Sequence, residues 1–213
     1  MSRPFHVRAP RTARPRVVLR ELARWGVGLS ILFGARASLA DHYQVPTGSM
    51  EPTVVPGDHV CVDKRAYGLR APLAEGYLTT WGGPARGDVV VLRSPETSDV
   101  LLKRVVAVPG DQVEVRDGRV SLGGVPVPVT PREPRAASAL VESLGAPHTI
   151  RVEQGGGPDL EPVVVPPGRY LVLGDNRGSS HDGRSFGFVD GAAILGRAAS
   201  VCVRGASPTW LPL

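Results

Sequence analysis

Short segments rich in valine and leucine recur along the chain from residue 41 onward, separated by turns that contain Gly, Pro and Asp. Apolar residues at every second position, or in short runs bounded by turn residues, are typical of β-strands. The predicted strands are residues 58–63, 88–92, 100–108, 112–115, 119–122, 168–173 and 192–204. Asp117-Gly118 separates two of these segments and predicts a tight hairpin turn.

Two segments are less regular. Residues 64–87 combine Gly, Pro and aromatic residues and predict an extended ribbon with loops. Residues 126–168 are rich in proline and contain a Gly-Gly-Gly-Pro run, and residues 136–144 could form a short helix. The sequence therefore predicts a mainly β, all-β body over residues 41–213, with a loop-rich inserted subdomain of loops and short strands at about residues 116–167.

The first 40 residues differ from the body in charge. They carry eight arginines against one glutamate, so the formal net charge of +5 belongs to this end of the chain and the body is close to neutral. A nucleic-acid-binding body is disfavoured, because phosphate contacts would need a basic face there. Residues 1–24 are predicted to be a basic arm.

An apolar run of 11 residues, 25–35, follows the arm. Arginines ahead of such a run favour a cytoplasmic N-terminus. We predict a membrane-anchor helix at residues 25–40, although a spanning helix needs ~20 residues and Arg24 and Arg36 would have to snorkel outward. A cleaved signal peptide ending at the small residues 38–40 and a helix lying in the membrane interface are the alternatives.

The two cysteines, Cys61 and Cys202, each lie between two valines in strand-like segments. Two thiols are too few for a metal cluster or a disulfide framework. They are either buried free thiols or a single bridge, and a bridge is compatible with a body outside the cytoplasm.

A rigid turn presents Ser49 ahead of the first predicted strand. Gly48 precedes the serine and lets the chain turn sharply, while Pro46 and Pro52 restrict the backbone on either side. A hydroxyl held in this way could act as a nucleophile if a base lies beside it.

Two residues are candidate bases for Ser49. His181, next to Asp182, is one, and Lys103, in an otherwise apolar strand, is the stronger. A lysine pKa of ~10.4 leaves the amine protonated, but burial can lower it by up to ~3–5 units, and the neutral amine could then take the serine proton. Alternation places Lys103 and Arg104 on opposite faces, so we expect only one of them to face the core; a Lys103 on the wet face of an edge strand is the alternative.

Acidic and basic side chains alternate with Gly and Ser in residues 174–187. Pairing of Asp175 or Asp182 with Arg177 or Arg184 would give a polar loop that satisfies its own charges. Such a loop could hold a lysine amine in place, whereas a solvated turn would carry no function.

Four segments, taken together and in this order, resemble the boxes of bacterial type I signal peptidases, or leader peptidases. They are residues 47–53, 57–60, 103–111 and 174–177, the last followed by Ser180, Asp182 and Arg184. The resemblance runs from about residue 39 to residue 197 and leaves residues 116–167 largely uncovered. It implies a membrane-anchored serine endopeptidase with a Ser–Lys dyad.

The resemblance also implies roles for individual residues. Ser49 stands where the family has its nucleophile and Lys103 where it has its general base. The backbone N–H of Ser49 and the hydroxyl of Thr47, where many members have serine, resemble the oxyanion hole. Met50 resembles a packing residue beside the nucleophile.

Further residues match positions that support the dyad in the family. Ser180 resembles the hydroxyl that orients the lysine amine, and Asp182 and Arg184 resemble a structural ion pair. Asp175 also supports that loop. Gly183 stands where members often have serine.

The function implied by this resemblance is removal of signal peptides from exported preproteins, with cleavage after small residues at positions −1 and −3, an Ala-x-Ala pattern. The implied partners are preproteins and membrane lipid, without nucleic acid, cofactor or metal, and the protein is expected to be a monomer. The expected location is the inner (plasma) membrane, crossed once, with a cytoplasmic N-terminus and the catalytic body on the outer side.

Two other classes of function are kept as alternatives. A self-cleaving repressor also uses a Ser–Lys dyad on a β fold, but it would need a helix-turn-helix where residues 1–40 have an arginine-rich arm. A membrane-tethered β scaffold without activity is the second, and the presence of both Ser49 and Lys103 argues against it.

Overall fold

The computed structural model describes residues 15–38, 40–70, 76–132 and 138–213. The chain divides into two units, Met1–Arg36 and Ala37–Leu213. Residues 1–14 of the predicted basic arm, and residues 71–75 of the predicted ribbon, lie outside the described residues.

Helix α1 runs from Pro15 to Ser38. The helix predicted at residues 25–40 therefore begins ten residues too late, and the second part of the basic arm is helical. Proline is favoured at the first helical position, and the Leu, Arg, Glu and Ala residues that follow it are good helix formers. Within the described ranges, no helix combines the length and the apolar character that a membrane crossing requires.

The body is built from strands β1–β17 and the short helix α2 (Gly183–Phe186). The strands are β1 (Ala40–Gln44), β2 (His59–Asp63), β3 (Gly68–Leu69), β4 (Thr79–Thr80), β5 (Val89–Arg93), β6 (Val100–Ala107), β7 (Gln112–Arg116), β8 (Arg119–Leu122), β9 (Val125–Pro126), β10 (Val129–Pro131), β11 (Ala139–Leu144), β12 (Ala146–Arg151), β13 (Leu160–Val164), β14 (Arg169–Leu173), β15 (Val189–Asp190), β16 (Ile194–Arg204) and β17 (Ser207–Pro212). The mainly β body and each strand predicted from the alternation are thereby confirmed.

The main sheet has the strand order β1-β2-β16-β5-β6-β14-β15, and β17 pairs with β16 off this path. Neighbouring strands pair antiparallel throughout. Val89–Leu92 of β5 and the end of β6 are buried at consecutive positions, so both faces of the sheet are covered at its centre. A covered centre explains why these two strands read as apolar runs rather than as a strict alternation.

The short strands predicted among the loops of the insertion at about residues 116–167 are present. Strands β8–β13 lie in this segment and form two small sheets, β10-β11-β12 and β13-β7-β8-β9. The prolines of β9 and β10 lie in edge strands, where the missing N–H removes no ladder hydrogen bond. Asp117 and Gly118, at φ 48° and 72°, form the predicted hairpin turn between β7 and β8.

The expectation of a short helix at residues 136–144 is wrong for those of these residues that the structure describes. Residues 139–144 form β11, which pairs with β10 on one side and β12 on the other. Leu140, Glu142 and Leu144 are buried while the residues between them are more exposed, which is the burial pattern of a strand.

The two cysteines, Cys61 of β2 and Cys202 of β16, form a disulfide with a Cα–Cα distance of 5.8 Å. The two strands are neighbours in the main sheet although 141 residues separate the cysteines in sequence. The sequence left the bridge and the free thiols as alternatives, and the structure has the bridge.

Candidate active site

The Ser49 turn is a single 3-10 turn, Gly48–Met50, that begins after an extended Thr47. Met50 is fully buried in a cluster that includes Val60 and Val91, so the residue after the serine anchors the turn in the core. The Glu51–Pro52 peptide bond that follows is cis. The turn is therefore held by packing on one side and leaves the serine hydroxyl free to face the next strands.

Lys103 of β6 lies directly beside this hydroxyl. Its Nζ is 2.8 Å from Ser49 Oγ, and only 3% of the lysine surface is exposed. Thr47 lies on the other side of the serine, with Oγ1 at 3.5 Å from Ser49 Oγ. Three residues that the sequence analysis singled out thus meet at one point, and the lysine is not on a wet face.

Burial lowers the pKa of Lys103 from 10.5 to about 8. The carboxylates of Asp182 and Asp175 oppose this change because they favour the charged amine, whereas the Arg184 guanidinium acts in the same direction as burial. The result is an amine that is partly neutral just above physiological pH and can accept a proton.

Arg104, the neighbour of Lys103, points to the opposite face as predicted, but it is buried as well. Its Nε and Nη2 donate to the two carboxylate oxygens of Asp175 at 2.8 and 2.7 Å. Thr53 Oγ1 donates to the same carboxylate at 2.6 Å, and Arg104 Nη1 donates to Gly87 O at 2.7 Å. The expectation that only one of the two basic residues faces the core is wrong, because the sheet is covered on both faces and the charge of Arg104 is paired.

Asp182 and Arg184 form the buried ion pair expected from the sequence. Arg184 Nε donates to Asp182 Oδ1 at 2.8 Å and Nη2 donates to Oδ2 at 2.9 Å, while Gly174 N donates to Oδ2 at 3.0 Å. Burial alone would raise the pKa of Asp182, but Arg184 and the Gly174 N–H hold it below its ordinary value. Asp182 also caps helix α2 by accepting from the Arg184 N–H.

Ser180 lies beside Gly174, next to the dyad. Its hydroxyl is near enough to Asp182 to help keep the pKa of that carboxyl low. The buried Ser180 Oγ makes no hydrogen bond of ordinary geometry with any residue that the structure describes. Ser180 therefore makes no hydrogen bond with Lys103 in the structure, and its role in orienting the lysine amine stays a prediction.

Two residues at the site, Asn176 and Glu142, were given no role by the sequence analysis, and a third, Arg177, pairs with Glu142 rather than with the Asp175 or Asp182 expected for it. Asn176 Nδ2 donates to Gly48 O and its N–H donates to Ser49 O, both at 3.1 Å, so this residue fixes the Ser49 turn. Arg177 and Glu142 form a third buried ion pair, and Arg177 Nε donates to Gly174 O. Glu142 could have been noticed because it occupies one of the buried positions of an alternating segment. An acidic side chain at a buried position requires a partner.

The alternative base, His181, is placed elsewhere. Its Nε2 lies 2.7 Å from Glu96 Oε2 and its ring meets the edge of Phe186, with 63% of the side chain exposed. His42 and His59 stack on each other at a centroid distance of 6.0 Å. The histidine alternative therefore has no support in this geometry.

A groove of about 350 Å³ leads to the dyad. One wall is formed by residues 43–47 at the end of β1 and the other by residues 99–103 at the start of β6, with Val60 and Val91 beneath. In the described part of the chain β1 pairs only with β2, and β14 pairs with β6 only from Arg104 onward. Two unpaired strand edges therefore border an apolar groove that ends at the serine and the lysine.

The chain is similar to known peptidases over most of its length. It matches the family described as "Signal peptidase, peptidase S26" over residues 19–203. It is 35% identical to Signal peptidase I of Pseudomonas aeruginosa over 194 residues, which cover 81% of this chain and 68% of that protein. It is 32% identical to Signal peptidase IB of Staphylococcus aureus over 186 residues, which cover 84% of this chain and 88% of that protein.

Among solved structures, a signal peptidase I from Enterococcus faecalis is 30% identical, covering 54% of this chain and 95% of that chain with a TM-score of 0.36. The match to the family extends over far more than half of the chain, and it includes the residues of the site described above. The family expected from the four sequence boxes is confirmed, and the repressor alternative has no support. The chain belongs to the signal peptidase family, peptidase S26, and is a hydrolase.

Proposed function

We propose that this protein is a membrane-bound serine endopeptidase that removes signal peptides from exported preproteins, with Ser49 as the nucleophile and Lys103 as the general base. The observation that carries the proposal is the contact between a buried lysine amine and a serine hydroxyl at 2.8 Å. Burial lowers the pKa of that amine to about 8, which gives Lys103 the protonation state that a base requires.

In the first step, neutral Lys103 takes the proton of Ser49 as Oγ attacks the carbonyl carbon of the scissile bond. The negative charge that develops on the carbonyl oxygen is stabilised by the Ser49 N–H and the Thr47 hydroxyl. Donors held in place before the reaction contribute roughly 2.7–4 kcal/mol each to such a transition state. The buried Met50 and the hydrogen bonds from Asn176 support this step, because they hold the turn that carries both donors.

The C–N bond then breaks, and the Lys103 ammonium gives its proton to the leaving amine. The signal peptide remains bound to Ser49 Oγ as an ester. A water molecule next attacks the ester carbonyl while Lys103 takes a proton from that water. The collapse of this second intermediate returns the proton to Ser49 and releases the signal peptide with a free carboxylate.

The groove supports an extended peptide substrate. A strand laid between β1 and β6 could form main-chain hydrogen bonds with both unpaired edges, and its side chains would alternate between the floor of the groove and solvent. Val60 and Val91 give the floor of the groove an apolar surface, and Leu102 makes the adjoining wall apolar as well. Small residues at −1 and −3, as in Ala-x-Ala, fit such a surface better than large or charged ones.

The proposal places the N-terminus in the cytoplasm and the catalytic body on the outer side of the plasma membrane, where the protein acts as a monomer. Two features support it. Disulfides persist mainly outside the cytoplasm, and Cys61 and Cys202 are bridged. Helix α1 carries exposed Leu22, Trp25 and Leu29 together with Arg24, a combination suited to contact with lipid and anionic headgroups.

The test is cleavage of a purified preprotein with an Ala-x-Ala site, in detergent, by the full chain. We expect one cut, after the second alanine, with the bond identified by mass spectrometry of both products. A preprotein with leucine in place of the −1 alanine is the control and should not be cut. Absence of cleavage for several Ala-x-Ala preproteins would overturn the proposal and favour the inactive scaffold.

Gly174 provides a sharper test of the site's packing. A Cβ at this position would lie well inside contact distance of Ser180 Oγ and of the Ser49 carbonyl oxygen. Gly174→Ala is therefore expected to displace the dyad and to lower kcat by about 100-fold, the effect of a shift of roughly 1 Å. Steady-state cleavage and circular dichroism would be measured together. Gly82→Ala, where a Cβ meets open space, is the control, and a Gly174→Ala enzyme with normal kcat would contradict the packing argument.

A further inference from the structure

A third buried ion pair joins the loop of residues 174–187, here called the catalytic loop, to the insertion at residues 116–167. Arg177 belongs to one of the segments that resemble the family's boxes, whereas Glu142 lies outside them. Arg177 Nη1 donates to Glu142 Oε1 at 2.9 Å and Nη2 donates to Oε2 at 2.5 Å. Neither side chain has any exposed surface. Glu142 lies in β11 of the insertion, and Arg177 lies in the catalytic loop, two residues after Asp175.

The remaining donors of Arg177 connect this pair to the catalytic loop. Nε donates to Gly174 O at 3.2 Å, and Nη1 donates to Gly118 O in the β7–β8 turn at 2.6 Å. The Arg177 carbonyl in turn accepts from Arg184 Nη2 at 2.8 Å. One guanidinium thus joins a strand and a turn of the insertion to residue 174.

Gly174 is held from both of its peptide groups. Its N–H donates to Asp182, and its carbonyl accepts from Arg177. A Cβ added to this glycine would overlap Ser180 Oγ and the Ser49 carbonyl oxygen, so the backbone here is closely packed and a displacement of Gly174 would be transmitted to the Ser49 turn. A single hydrogen bond, from Arg177 Nε to Gly174 O, therefore connects the Glu142–Arg177 pair to the backbone that packs beside Ser49.

The charge state of the pair is well defined. Burial alone would raise the pKa of Glu142, but Arg177 and the hydrogen bond with His148 outweigh burial and hold the pKa at about 2. His148 Nε2 lies 3.1 Å from Glu142 Oε2, and its Nδ1 lies 3.1 Å from Ala146 O. The carboxylate therefore stays ionised, and its ion pair with Arg177 persists, throughout the pH range in which an enzyme of this kind works.

A buried ion pair by itself contributes little to the free energy of folding, because the cost of removing two charges from water offsets most of their mutual attraction. Apolar residues of similar volume are often equally stable in such places. What the pair supplies that apolar residues would not is a set of directed hydrogen bonds to Gly174 O and Gly118 O.

We propose that Glu142 and Arg177 are positioning residues for the reaction: through the ion pair, the insertion fixes Gly174 and thereby the alignment of Ser49 with Lys103. Neither residue touches substrate. The inference rests on the proposed Ser49–Lys103 mechanism and extends it to the Glu142–Arg177 contact between the insertion and the catalytic loop.

The first variant is Glu142→Gln, which keeps the shape of the side chain and removes its charge. We expect kcat for the Ala-x-Ala preprotein to fall by about 10- to 100-fold while KM stays within twofold of the wild type, because the groove does not contain Glu142. Glu161→Gln is the matched control, since Glu161 lies in the same insertion, pairs with Arg116 and is 78% exposed. It should leave kcat and KM unchanged.

The second variant separates positioning from stability. In Glu142→Leu/Arg177→Met both charges are replaced by apolar groups, so the unfolding temperature should return close to that of the wild type while kcat remains low. This variant also carries the test if Glu142→Gln alone does not fold. Recovery of kcat together with the unfolding temperature, or a folded Glu142→Gln enzyme with normal kcat, would overturn the inference. A wild type that cleaves no preprotein would instead be a failure of the proposed function.

Discussion

Lys103→Met is expected to abolish cleavage and, at neutral pH, to make the body more stable. Loss of the base leaves Ser49 without a proton acceptor, and the rate should fall by about 10⁴-fold or more. Stability should rise because the buried amine has its pKa lowered from 10.5 to about 8. Folding at pH 7 therefore costs about 3 kcal/mol at this residue, and methionine fills a similar volume without that cost.

The pH dependence of this gain follows from the same pKa. Between about pH 8 and pH 10.5 the unfolded wild type binds the lysine proton and the folded wild type does not, so wild-type stability rises with pH in that window. The difference in the free energy of unfolding between the variant and the wild type should have its maximum value below about pH 8 and disappear near pH 10.5. Thermal unfolding at pH 7 and pH 10 would measure it.

The chain offers a matched control for this variant, because Lys64 is its only other lysine. Lys64 Nζ lies 2.9 Å from Asp41 Oδ2 and its side chain is largely buried. Lys64→Met should keep the activity. Measurable turnover by Lys103→Met, or loss of activity in Lys64→Met with normal activity in Lys103→Met, would remove Lys103 from the mechanism.

Asp175→Ala is expected to have the largest effect on stability. The carboxylate is fully buried and accepts hydrogen bonds from Arg104 and Thr53. Its removal leaves the Arg104 guanidinium buried without a counter-charge, which destabilises by about 3–5 kcal/mol. For a body of this size such a loss lowers the unfolding temperature by roughly 10 °C.

Differential scanning calorimetry would measure this change, with Asp190→Ala as the control. Asp190 also pairs with an arginine, Arg169, but at 3.7 Å and with 53% of its side chain exposed, so its loss should cost about 1 kcal/mol or less. Equal unfolding temperatures for Asp175→Ala and the wild type would contradict the prediction, because they would show that the buried charge of Arg104 does not require Asp175 for the body to be stable.

The strands of the body, and the two side chains that meet at the candidate site, Ser49 and Lys103, could be predicted from the sequence because both depend on local signals. Alternation identified β2, β5 and β6, and the lysine stood out because it interrupts an apolar run. The prediction that Arg104 would then lie outside the core failed. Whether one or both faces of β6 are covered depends on segments far away in sequence, and the partner of Arg104 is 71 residues along the chain.

The pairing of the strands in the insertion could not be predicted for a related reason. Pro126 and Pro131 are compatible with either loops or edge strands, and their edge positions in β9 and β10 cannot be read from a single segment. The pairing of Glu142 with Arg177 and the bridge between Cys61 and Cys202 have the same character. Each joins elements that become neighbours only after the sheets form.

The pH dependence of kcat/KM tests the central claim most directly, because it reports the ionisation of the base in the free enzyme. With the Ala-x-Ala preprotein, we expect activity to rise with pH through a midpoint near 8, the pKa of Lys103, and to behave identically in His181→Ala. A midpoint near 6.5, the ordinary range of histidine, that disappears in His181→Ala would contradict the account and assign the base to His181.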